Sequence, residues 1–130
     1  MPNIVALHIH LEPKDFIYMK QLLLNCKQLK RTEFRSLDYF ADENDNNGDE
    51  LLNILTQYSP NSLTAIIISK GWKYSIDAFE QFFESCRKRT LNFFGIYRYD
   101  DCSRSYVTED HKAIVEKYVK EGVILHYFGL

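Results

Sequence analysis

The 130-residue sequence has only five glycines, three prolines and three cysteines, and no long apolar run. A membrane-crossing helix needs about 20 consecutive apolar residues, so no membrane span is expected. The opening stretch MPNIVALHIHLEP carries no basic region, and His8 and His10 interrupt its apolar residues, so no signal peptide is expected either. Cys26, Cys86 and Cys102 are odd in number and form no C-x-x-C pair. That excludes a disulfide framework or structural zinc site on spacing grounds. Free thiols in a reducing compartment, cytoplasmic or nuclear, are the expectation. An excess of one charge is also missing: 16 Lys and Arg face 18 Asp and Glu, for a net charge of -2. Nucleic-acid binders carry a basic footprint, so no nucleic-acid partner is expected. No G-x-G-x-x-G or P-loop occurs, which leaves phosphate-cradling chemistry without a seat.

What is present is a folding composition, with 45% hydrophobic, 15% aromatic and 26% charged residues. The length suits one domain over residues 1–130 and is too short for a closed eight-fold β/α barrel of about 250 residues. Strand-like runs rich in Ile, Val, Phe and Tyr fall at 4–11, 32–37, 63–69, 91–98 and 123–129. Helical patterns lie between them. The first starts near Pro13 and carries Phe16, Met19, Leu23 and Cys26 at helical spacing. The second follows Gly48 with Leu51, Leu52, Leu55 and Tyr58, and Pro60 stops it. The third has Ser75 as N-cap and Ile76, Phe79, Phe83 and Cys86 as its stripe. The fourth is capped by Thr108, carries Ile114, Val115, Tyr118 and Val119, and ends at Gly122.

Strand–helix alternation with short connections predicts parallel strands. Two architectures answer to it: a leucine-rich-repeat-like solenoid arc, or a doubly wound sheet of flavodoxin or receiver type. A hexad, apolar–x–x–apolar–x–apolar, favours the arc. It reads Ile4/Leu7/Ile9, Leu29/Thr32/Phe34, Leu63/Ile66/Ile68 and Leu91/Phe94/Ile96, with a weaker copy at Val123/His126/Phe128. Polar residues also alternate with apolar ones in the first two strands, which puts one face of the sheet in water. A doubly wound sheet is covered on both faces. The third strand, apolar throughout from Ala65 to Ile68, argues the other way.

The stretch NCKQLKRTEF resembles a cysteine-containing leucine-rich repeat, with Cys26 three residues before Leu29. LLNILTQYSPNSLTAIIIS, SIDAFEQFFESCRKRTLNFFGIY and the closing DHKAIVEKYVKEGVI resemble segments of the large F-box protein expansion of arbuscular mycorrhizal fungi. The resemblance spans nearly the whole chain. It implies parallel strands on a concave face, helices on a convex face, and the target-recognition repeats of a cullin ubiquitin ligase component. In that family an N-terminal F-box binds the Skp1 adaptor. These residues contain no F-box, so adaptor binding transfers to no residue here. The chain is expected to be the C-terminal part of such a protein or a free-standing relative.

In an arc, the residues flanking the inward strand positions line the concave surface. These are His8, His10, Arg31, Glu33, Arg35, Ile67, Ser69, Phe93, Tyr97, Leu125 and Tyr127. Arginine beside aromatic side chains is the composition of binding hot spots, so a protein target is the expected partner and catalysis is not expected. His8-x-His10 is too few ligands for zinc, which takes three or four. The acidic run from Asp42 to Glu50 fails as an EF-hand loop: with Gly48 at position six, Ile54 falls where a glutamate is required. It reads as a solvated insertion. Cys26 and Cys86 sit in helix stripes and read as small hydrophobes. Cys102 lies beside Asp100 and Asp101, which disfavour a thiolate. No cofactor or metal is expected. The doubly wound alternative would place a ligand or enzymatic site at the strand C-terminal ends, near Glu12, Asp38 and Asp100–Asp101.

Overall fold

The computed structural model describes residues 3–36, 47–97 and 106–130. Asp38, the run from Asp42 to Asn46, and Asp100, Asp101 and Cys102 lie outside the described residues. The chain is a mixed α/β structure. Five strands, β1 (Ala6–Leu11), β2 (Arg31–Ser36), β3 (Ala65–Ser69), β4 (Leu91–Tyr97) and β5 (Ile124–Phe128), form one parallel sheet in the order β1-β2-β3-β4-β5. Strand order equals chain order, so the sheet has no point at which the order reverses. A doubly wound sheet has one. Crossovers between parallel strands are right-handed, and with the strands advancing in one direction such crossovers put every helix on the same side.

Four α-helices make that layer: α1 (Met19–Asn25), α2 (Asp49–Tyr58), α3 (Ile76–Ser85) and α4 (Glu109–Lys120). They stack in chain order, α1 on α2, α2 on α3 and α3 on α4. Local chemistry explains their starts. A 3-10 segment, Pro13–Tyr18, leads into α1. Glu12 and Asp15 satisfy each other's backbone N–H groups there, and Pro13 supplies a fixed φ where no N–H is needed. The Ser75 hydroxyl accepts from the Ala78 N–H at 3.1 Å and caps α3. Asp49, in the first turn of α2, accepts from the Ser75 N–H at 2.8 Å and ties the two helix starts together. Beyond α4 the chain turns at Gly122, whose φ of +79° is the left-handed conformation that glycine adopts without a Cβ clash.

The core lies between the helix layer and one face of the sheet. Its densest part is aromatic. The Phe83 ring stands 5.1 Å from Phe79, 5.2 Å from Phe82, 4.8 Å from Phe94 and 5.6 Å from Tyr118, centroid to centroid. The α3 stripe differs from the expected one: Phe82 is buried, while Ile76 at the helix start is exposed. α3 packs against α2 on one side and α4 on the other, and its Phe79, Phe82 and Phe83 rings meet Phe94 of the sheet, so its apolar arc is wider than a single stripe. Cys26 and Cys86 are free and fully buried, as the helix spacing predicts.

The pairing register aligns Leu7 with Thr32, Thr32 with Ile66 and Ile66 with Phe94, which is the alignment of the first four hexads. The fifth hexad is one residue out. Phe94 pairs with Tyr127, so the inner position on β5 is Tyr127 rather than His126. Thr32 is the polar member of the inner row. It is fully buried, and its hydroxyl has no hydrogen-bond partner. Val has nearly the same shape and no hydroxyl to desolvate. Thr32→Val is therefore expected to raise stability by roughly 1 kcal/mol, measured as a higher urea midpoint at unchanged slope.

Candidate protein-binding face

Period-two alternation sends the other half of the strand residues to the face away from the helices. Register brings them into rows. Ala6, Arg31, Ala65, Phe93 and His126 form one; His8, Glu33, Ile67, Gly95 and Phe128 form the next; in the third, His10 pairs with Arg35 and Ser69 with Tyr97. Of the residues expected on this face, His8, His10, Arg31, Glu33, Arg35, Ile67, Ser69, Phe93 and Tyr97 are there. Leu125 and Tyr127 are not. They have the parity of Phe94, and Tyr127 packs against the core. His126 and Phe128 take their places. A one-residue slip exchanges every side chain between faces, and that slip is the whole of the difference on β5. Ile67 shares the face but is only 1% exposed, and Ser69 is fully buried, so both are floor rather than contact.

The side chains above that floor hold one another. Glu33 links the N-terminal strands: its carboxylate lies 3.0 Å from the Arg35 guanidinium and 3.6 Å from His8 Nδ1. The His8 and His10 rings stack at 5.3 Å. Arg35 lies over the Tyr97 ring at 3.7 Å, and Arg31 over Phe93 at 5.8 Å. Such cation–π contacts contribute about 0.5–1 kcal/mol at exposed sites and preset the arginines' direction. Phe93 in turn meets Phe128 at 5.1 Å. Gly95 makes room for this, because a Cβ at Gly95 would fall inside the Phe128 ring. Phe128 remains 40% exposed. The face thus runs from imidazole and guanidinium groups on β1 and β2 to aromatic rings on β4 and β5.

A second polar group sits where β2 and β3 end. The Ser69 hydroxyl donates to Ser36 Oγ at 3.1 Å and accepts from the Gly71 N–H at 3.0 Å. The Tyr74 hydroxyl donates to the Ser69 carbonyl at 2.6 Å. Burial pushes the Tyr74 hydroxyl pKa well above its ordinary value, with the Asp49 charge adding to this. His111 closes the network. Its Nδ1 accepts from the Thr108 N–H at 3.0 Å, which leaves the proton on Nε2 to be donated to the Tyr74 carbonyl at 2.7 Å. Sequence reasoning named Ser69 only as a face residue and Thr108 only as a cap, and it missed Ser36, Gly71, Tyr74 and His111. The available signal was His111 at the third position after a threonine cap, where a capping partner belongs; the serine pair carries no signal at all. All of these contacts except the one between the two serine hydroxyls engage a backbone group, so the network holds the turn from β3 into α3. Glu12, on the doubly wound reading a ligand-site residue, is engaged in the helix cap and lies 3.1 Å from Lys14.

On the helix side, Arg87 bridges Glu84 and Glu121 at 2.6 Å each. The Arg87 hydrogen bonds, with one from the Tyr118 hydroxyl, hold Glu84 down at about 2. These charges tie α3 to α4 and lie away from the open face. Burial raises the Cys86 thiol pKa, which suits packing rather than nucleophilic chemistry. Among the described residues no three His, Cys, Asp or Glu side chains converge as metal ligands. No described helix is long and apolar enough to cross a membrane. No known protein family, curated protein or solved structure matches the chain.

Proposed function

We propose that the chain is a protein-binding module built as a leucine-rich-repeat-like arc, whose open strand face holds its target. The carrying observation is the continuous strip of His8, His10, Arg31, Arg35, Tyr97, Phe93 and Phe128 on the face opposite the helices. Aromatic and arginine side chains, preset by mutual contacts and left accessible, are the groups that carry binding energy in protein interfaces. Sequential strand order and the shared register of four hexads support the repeat-like build. Resemblance to the F-box protein expansion supplies the wider setting, in which this chain is the target-recognition end of a ubiquitin ligase component. The Skp1 adaptor would then be met through an F-box and through none of the residues here. Mechanism on this reading is surface complementarity, with no bond made or broken.

The test is affinity capture with quantitative mass spectrometry, comparing the native chain with variants. Arg31→Glu with Arg35→Glu, or Tyr97→Ala, is expected to lower capture of specific partners by about tenfold. That corresponds to roughly 1.4 kcal/mol. Circular dichroism and the thermal midpoint should show the fold kept. Glu116→Lys on the outer side of α4 serves as control and should capture the same partners as the native chain. Equal capture by all of them sinks the proposed face.

A further inference from the structure

The open face has a charge of its own. Among the described residues of its three rows, Arg31 and Arg35 stand against one carboxylate, Glu33, leaving one net positive charge on a chain that is net negative. Glu33 is already committed to Arg35 and His8. Arg31 takes part in no ion pair among the described residues; its contact is the Phe93 ring. Three imidazoles, His8, His10 and His126, are exposed on the same face.

We infer that this face accepts an extended acidic segment of a partner protein, one with a large apolar residue a few positions from its carboxylates. The inference rests on the protein-binding reading and specifies the partner. Its spacing follows from the side chains. The Arg31 guanidinium lies 5.8 Å from the Phe93 ring, and Phe128 lies 5.1 Å beyond Phe93. An extended chain advances about 3.3 Å per residue. A carboxylate on Arg31 therefore belongs about two or three residues from a side chain seated on Phe93 and Phe128. Nucleic acid is the less favoured polyanion. Two guanidinium groups interrupted by a carboxylate neutralise few phosphates, and affinity for nucleic acid scales with that number.

The experiment uses the full chain and a displayed library of random linear dodecapeptides. Enriched peptides are then measured as fluorescein-labelled synthetics. The expected consensus is acidic, with an aromatic or aliphatic residue about two or three positions away. Binding should weaken about tenfold with Arg31→Glu and Arg35→Glu combined. Enrichment of neutral or basic peptides whose binding is lost in Gly95→Ala or Tyr97→Ala overturns the acidic partner and spares the protein-binding face. Peptides that bind every face variant equally, or no enrichment at all, overturn both. A labelled oligouridylate bound more tightly than any peptide assigns the face to nucleic acid and overturns the inference.

Discussion

Phe83→Ala is expected to lower unfolding free energy by about 3–5 kcal/mol, the range for removing a buried aromatic ring. Phe83 contributes more than its own area. Its ring faces Phe79 and Phe82 on its own helix, Phe94 on β4 and Tyr118 on α4. It is where α3, the sheet and α4 meet. Ring pairs at these separations add about 0.5–1.5 kcal/mol beyond burial, and four are lost together. A domain of this size is stable by about 5–15 kcal/mol in all, so the variant should sit near its folding limit. Urea denaturation of both proteins measures the difference. Phe83→Leu, which keeps most of the volume, should recover more than half of the loss.

His111→Ala is expected to cost about 2–4 kcal/mol by a different route. The ring is buried against Phe79 at a centroid distance of 4.9 Å, so its loss leaves a cavity. The Tyr74 carbonyl also loses its donor from His111, and an unpaired buried polar group costs about 1–3 kcal/mol. His111→Gln separates the two contributions. Glutamine at the third helical position can accept from the Thr108 N–H as histidine does, yet it does not place a donor on Tyr74. Its stability should fall between the other two. Hydrogen exchange should locate the damage: the amides from Gly71 to Ser75 and the first turn of α4 should lose protection before the rest of the sheet.

Much of this architecture was legible in the residues. Ser75, Thr108 and Gly122 marked helix boundaries because capping and positive φ act locally. The hexads aligned β1 to β4 because one parity of those strands supplies the inner row, while in β1 and β2 the other carries polar groups such as His8, Arg31, Glu33 and Arg35. β5 failed that test for a physical reason. Leu125 and Tyr127 on one parity, and His126 and Phe128 on the other, give each face of an edge strand an aromatic residue. Only the pairing of Phe93 with His126 decides between them. Ile67 misled in the opposite way: it is buried on the open face, so an all-apolar strand did not require helices on both sides. The seat for Phe128 at Gly95 and the clamp from His111 to Tyr74 join residues 33 and 37 positions apart. Contacts at that range come from the fold and leave no local pattern.

On the proposed reading the open strand face is where this chain meets its target. A photoreactive benzoylphenylalanine placed at Phe93 on that face, or at Ala113 on the exposed side of α4, distinguishes that face from the helix layer. Irradiation of native extracts containing either protein should yield a discrete cross-linked partner from position 93 and none from position 113. Cross-links from 113 alone would place the interface on the helices and contradict the account.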